Sequence, residues 1–126
     1  MIALRRHLGV CVGSRILIQE MEFSVDTRWT IAGKYLVQFT LAGNLELWNL
    51  AFGTLLWESD TCHRGGKKLV MQSDGNLVIY DGVGLPLWSS GTHGHDGAHL
   101  AVQDDGNVVI YSPESEPLWD TGTAGS

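Results

Sequence analysis

Charge is scarce in this chain of 126 residues, and basic charge is scarcest. Eight Lys and Arg stand against fourteen Asp and Glu, for a formal net charge of -6. Nucleic acids and anionic membranes are held by a basic face, so neither is expected as a partner. Apolar runs are short as well. None approaches the roughly 20 residues that cross a bilayer as a helix, so no membrane insertion is expected. Only two cysteines occur, Cys11 and Cys62. They permit one disulfide and equally stand as two unpaired thiols. The opening Met1 to Val10 hints at a basic leader, but Arg5-Arg6-His7 interrupts its apolar run and no small-residue cleavage site follows. It is not read as a signal peptide, and localisation stays open. Catalytic motifs are missing too: no phosphate loop, no Gly-x-Ser-x-Gly and no zinc-protease motif. An enzyme is not expected, nor a cofactor.

What the chain does have is glycine, 16 of them, with 44% hydrophobic residues. That suits one packed domain with many turns. No helical period competes anywhere, and β-rich runs recur. Arg15-Ile16-Leu17-Ile18-Gln19 reads as a strand, and Thr30-Ile31-Ala32-Gly33-Lys34 as a strand end and a turn. Residues 1–13 form a lead-in or an extra edge strand.

The dominant feature is a repeat. Gln72-Ser73-Asp74-Gly75-Asn76-Leu77-Val78-Ile79-Tyr80 returns as Gln103-Asp104-Asp105-Gly106-Asn107-Val108-Val109-Ile110-Tyr111, displaced by 31 residues. Leu56-Trp57, Leu87-Trp88 and Leu118-Trp119 keep the same interval. A fixed period of this size marks a repeat architecture, here with units at about 30–62, 63–93 and 94–126. Three equivalent tryptophans are read as core wedges rather than ligand platforms.

Each unit has hairpin grammar: two β-rich runs around a short glycine loop, Ser73-Asp74-Gly75 or Asp104-Asp105-Gly106. Strand alternation turns Leu77 and Ile79 inward and sets Asn76, Val78 and Tyr80 on the opposite, reachable face. Gln72 and Asp74 converge on them. One hairpin thus offers a carboxylate, two amides, a phenol and a small apolar surface. Turn formers plus strand formers explain one such copy as duplication. Two copies that keep all five identities while Ser73 gives way to Asp104 and Leu77 to Val108 favour binding.

Gln-x-Asp-x-Asn-x-Val-x-Tyr in tandem, with trailing Leu-Trp pairs, resembles the monocot mannose-binding (bulb-type, snowdrop-type) lectins over about residues 14–126. The resemblance implies an all-β fold, the β-prism II. Its three four-stranded antiparallel sheets surround a pseudo-threefold axis with the tryptophans central. It implies mannose and mannose-containing glycans as partners. Asp74 and Asn76 would meet the 2-hydroxyl, Gln72 the 3-hydroxyl and Tyr80 the 4-hydroxyl, with Val78 against the ring face. Gln103, Asp105, Asn107, Val109 and Tyr111 would form a second site. It also implies a homodimer that exchanges the tail from Leu118 to Ser126. Localisation leans towards secreted or cell-surface, with the cytoplasm open. A lectin-like bacteriocin or a protein-interaction scaffold is the alternative on the same fold.

The first repeat departs from the pattern. Thr40, Ala42, Asn44, Glu46 and Trp48 occupy the five signature positions, and Gln38 lies two residues too early to substitute. A site without its Asp and Tyr hydroxyl, and with a charge where an apolar contact belongs, is expected to be dead for mannose. The alternative is a different sugar or protein contact through Glu46 and Trp48. Family members often carry a cysteine where Gly75 or Gly106 stands, so their disulfide does not transfer, and Cys62 is out of place to serve it. His93, His95 and His99 with Asp96 are read as solvated loop residues rather than a metal site. Asp104-Asp105-Gly106-Asn107 lacks the spaced acidic ligands and closing glutamate of a calcium loop.

Overall fold

The structure, a computed structural model, describes residues 10–12 and 15–126, with side chains from residue 16 onward. Among the described residues every regular element is a strand: β1 (Val10–Val12), β2 (Arg15–Ile18), β3 (Met21–Ser24), β4 (Thr27–Ile31), β5 (Tyr35–Phe39), β6 (Leu45–Asn49), β7 (Thr54–Glu58), β8 (Gly66–Met71), β9 (Leu77–Asp81), β10 (Pro86–Ser89), β11 (His99–Gln103), β12 (Val108–Tyr111) and β13 (Pro117–Asp120). They form three antiparallel sheets, ordered β4-β5-β6-β7, β10-β9-β8-β3 and β1-β2-β11-β12-β13. This is the expected prism of four-stranded sheets, with β1 added at one edge. The stretch 1–13 therefore supplies an edge strand at 10–12. The rest of that stretch lies outside the described residues.

The chain lays down β2, β3 and β4 in three different sheets before any repeat begins. Each repeat then completes one sheet with a three-stranded meander. The fourth strands come from residues 15–31, so the N-terminal segment is structural. Alternation does the sorting: Thr27, Trp29 and Ile31 of β4 are buried while Arg28 and Thr30 are exposed. The inward set, including Phe39, Leu47, Leu69, Leu77, Ile79 and Ile110, meets in one core. Each such fully buried side chain contributes about 1.5–3 kcal/mol by leaving water.

The three Leu-Trp pairs close that core. Trp57, Trp88 and Trp119 meet one another edge to face, with ring centroids 5.5 to 5.8 Å apart. Each such pair adds about 0.5–1.5 kcal/mol beyond the area it buries. The leucine before each tryptophan has its own reason. Leu47 faces Trp57 while Trp48 faces Leu55, so Leu56 is the extra residue of a β-bulge. Leu87 and Leu118 repeat the arrangement. All six leucine and tryptophan side chains pack against the core. The extra residue of the first repeat falls in the β6–β7 turn.

Candidate functional site

All three repeats build the same turn. The N–H of Gln72 donates to the Asn76 carbonyl at 2.9 Å, and that of Gly75 to the Gln72 carbonyl at 3.0 Å. Gln103 with Gly106, and Thr40 with Gly43, repeat both bonds. This is a three-residue hairpin loop whose last residue is left-handed: φ is +92° at Gly75 and +90° at Gly106. A Cβ on Gly75 would lie 2.5 Å from the His95 carbonyl oxygen, because the 92–97 loop wraps this turn. That contact and the left-handed backbone account for glycine here. Gly84 has a similar φ of +89° but open space around it. Gly75→Ala is therefore expected to cost about 1–2 kcal/mol more than Gly84→Ala in urea unfolding. Equal costs would show that the wrap is loose.

On this turn the signature polar groups form one chain of hydrogen bonds. Tyr80 Oη donates to Gln72 Oε1. Gln72 Nε2 donates to both Asp74 oxygens at 3.1 and 3.3 Å. Asp74 Oδ1 accepts the Asn76 N–H at 3.0 Å. The third repeat matches link for link: Tyr111 Oη to Gln103 Oε1 at 2.7 Å, Gln103 Nε2 to Asp105 at 3.3 and 3.2 Å, and the Asn107 N–H to Asp105 at 2.9 Å. The side chains are held in place before any ligand arrives, which lowers the ordering cost of binding. The Asn76 N–H is the main cause that holds the Asp74 carboxyl below its usual range. The Gln72 amide and the charge of His93 add to it, against a smaller push upward from burial. A depressed carboxylate contributes stability above its unfolded pKa and loses it as pH falls through the folded one. Asp74 thus stays an ionised acceptor into mildly acidic solution.

Val78 and Val109 depart from the reading that set them on a reachable surface. Each is only 3% exposed. Val70 and Ser89 flank Val78, while Ala101 and Asp120 flank Val109, so the valines form floors beneath the polar groups.

The asparagines carry a function that the signature did not reveal. Asn76 Oδ1 accepts from Ser90 Oγ and the Thr92 N–H, both at 3.1 Å. Thr92 Oγ1 donates back to the Gly75 carbonyl at 2.6 Å. Asn107 does the same with Thr121 and Thr123, and Asn44 with Ser59 and Thr61. The polar tails after each tryptophan are therefore anchors for the asparagine. Their signal in the sequence is the recurring Ser/Thr-x-Thr two residues past each Trp. The other end of the amide differs between repeats. Nδ2 of Asn76 and of Asn107 makes no hydrogen bond among the described residues. Nδ2 of Asn44 donates to Glu46 at 3.1 Å and to Glu58 at 2.8 Å. Glu46 also accepts from Gln38 Nε2 and Trp48 Nε1, each at 2.9 Å. Burial pushes the Glu46 carboxyl up, but these three donors together hold it below its usual range.

The histidine loop is dispersed. His95 Nδ1 donates to the Thr92 carbonyl at 3.1 Å, and His99 stacks on Tyr111 with centroids 5.7 Å apart. Cys62 is exposed and free, and the side chain of Cys11 lies outside the described residues.

No family model and no curated sequence matches the chain. Solved structures do. A monomeric monocot mannose-binding lectin from Gastrodia elata is 32% identical, with a TM-score of 0.76 over 89% of this chain and 99% of that one. The chain belongs to the monocot mannose-binding lectin family. The Japanese Marasmius oreades lectin matches at 28% identity and a TM-score of 0.76, over 90% of this chain and 94% of that one. The snowdrop (Galanthus nivalis) mannose-specific agglutinin, solved with methyl-alpha-D-mannoside, matches at 28% and 0.69, over 90% and 100%. The fold of these lectins is the β-prism II expected from the signature. These neighbours are lectins and an agglutinin by name, in keeping with a carbohydrate-binding rather than a catalytic chain.

Proposed function

We propose that residues 14–126 form a mannose-binding lectin domain with two working sites, on the second and third repeats. What carries the proposal is the twinned network of Gln72, Asp74, Asn76 and Tyr80 with Gln103, Asp105, Asn107 and Tyr111. Each copy leaves one asparagine amide pointing away from the fold's own bonds. In each site the Asp carboxylate and the Asn Nδ2 take the axial 2-hydroxyl, which offers a donor and an acceptor at once. The Gln takes the 3-hydroxyl, Tyr Oη takes the 4-hydroxyl, and the valine floor underlies the ring. The first repeat is silent because Glu46 and Glu58 already hold its amide. The snowdrop protein's mannoside complex supports this choice of sugar.

One sugar on a shallow polar site gains little beyond the desolvation it costs. Each site should bind near the millimolar range, about -4 kcal/mol. Useful strength then comes from several sites engaging one mannose-rich glycan. Titration with methyl α-mannoside, followed by NMR, should shift the Tyr80 and Tyr111 ring signals saturably and leave Trp48 unmoved. No shift at either tyrosine would sink the proposal.

We further propose a homodimer formed by exchange of the 118–126 tail. Within one chain β13 pairs with β12, Gly125 N–H donates to the Asp105 carbonyl at 2.7 Å, and Tyr35 Oη to that of Ser126 at 2.7 Å. A second copy would offer the same partners, so exchange conserves every contact. Sedimentation at tens of micromolar should give a dimer, and a strict monomer would overturn this.

A further inference from the structure

We propose that the second-repeat site continues into a groove along β3 that takes a second, neutral sugar unit. This site then reads a mannose disaccharide while the third reads single mannose units. The inference rests on the lectin reading above. On the outer face of the second sheet, Glu22 stands opposite Val70, and Val70 opposite Val78. Met21 stands opposite Met71, which brings Glu20 alongside Gln72. An open groove runs along this seam, lined by Glu20, Met21 and Glu22 from the β3 side and by Val70, Gln72 and Asp74 from β8 and its turn. Two of the five signature side chains therefore line the sugar site and the groove together.

The chemistry of the groove suits a neutral hexose. Its hydroxyls are donors for ionised carboxylates, which make the stronger class of hydrogen bond. Val70 adds an apolar strip for the C–H face of the ring. Glu20 makes no hydrogen bond or ion pair among the described residues. Glu22 lies 3.9 Å from Lys68 with both side chains more than half exposed, a contact weak enough to yield to a ligand. A phosphate, sulfate or uronate on the second unit would meet Glu20, Glu22 and Asp74 at once and be rejected. The third sheet is built differently at this place. By register Leu17 stands opposite Ala101 and Arg15 opposite Gln103, so no carboxylate takes the place of Glu22 or Glu20 along β2.

The test separates the sites by mutation. Asp105→Ala leaves the second site and Asp74→Ala leaves the third. Each is titrated with methyl α-mannoside and with the 2-, 3- and 6-linked mannobioses. Asp105→Ala should bind one mannobiose about 3- to 10-fold tighter than the monosaccharide, the gain of one or two net hydrogen bonds. Adding Glu20→Ala and Glu22→Ala should cut that gain to the roughly twofold that two mannose units give by statistics alone. Both substitutions are on exposed side chains and leave the core intact. Asp74→Ala should show no gain beyond that factor. A gain that survives loss of both glutamates, an equal gain at the third site, or none at the second would overturn the inference. Failure of both variants and of the unmodified chain to bind methyl α-mannoside would instead overturn the lectin reading.

Discussion

Asp74→Ala combined with Asp105→Ala is expected to abolish mannose binding and leave the prism folded. Each carboxylate is the only charged acceptor in its signature. A hydrogen bond to a charged group contributes about 1.5–3 kcal/mol, so each site should weaken about 10- to 100-fold. From a millimolar start, that places binding beyond any practical titration. The fold should lose much less. Asp74 and Asp105 each accept one turn N–H, at 3.0 and 2.9 Å, from a partly exposed position. Losing both should cost about 2 kcal/mol and lower Tm by less than about 10 °C. Asp→Asn at both positions separates charge from geometry. It keeps an oxygen for the turn N–H, so Tm should hold while affinity still falls about tenfold. Retained mannose binding in the double alanine variant would defeat the site assignment outright.

The organisation of the fold was legible because a repeat writes its period directly. The 31-residue interval of the Leu-Trp pairs announced three equivalent units. Alternation put Leu77 and Ile79 inward, as the structure has them. What stayed hidden depends on pairing between distant segments. Nothing local to Leu56 says that it is a bulge residue, since that follows from the register of β6 on β7. Val78 looked reachable because alternation tells which face a side chain takes and not how deeply its flanking strands cover it. Glu20 and Gln72 lie 52 positions apart in the sequence and come together only because β3 completes the second sheet. The asparagine's structural role was hidden for another reason. It stands in all three repeats, including the one that lost every other signature member, and the signature names no partner for it outside the hairpin. Its Oδ1 bonds to Ser59 and Thr61 show why it persists: the fold uses one end of that amide in every repeat, and the proposed sugar contact needs the other end in the second and third alone.

That division of labour makes Asn44→Ala the second large effect: a serious loss of stability with mannose binding unchanged. Asn44 is 2% exposed and bonded at both ends of its amide. Oδ1 accepts from Ser59 Oγ at 3.2 Å and from the Thr61 N–H at 2.9 Å. Nδ2 sits between Glu46 and Glu58, which face each other across β6 and β7. Like charges directly opposite one another are destabilising, and the amide proton donors between them offset that repulsion. Truncation leaves the buried Thr61 N–H without its acceptor and removes the bridge between the carboxylates. Unsatisfied buried groups cost about 1–3 kcal/mol each, so a total of about 3 kcal/mol is expected. In a domain of this size that lowers Tm by about 10 °C. The second and third sites lie on other sheets and should bind methyl α-mannoside as before, measured below the lowered melting point. A variant as stable as the original would mean that the first repeat keeps its asparagine for something other than the fold, and loss of mannose binding at that point would return Asn44 to the sugar.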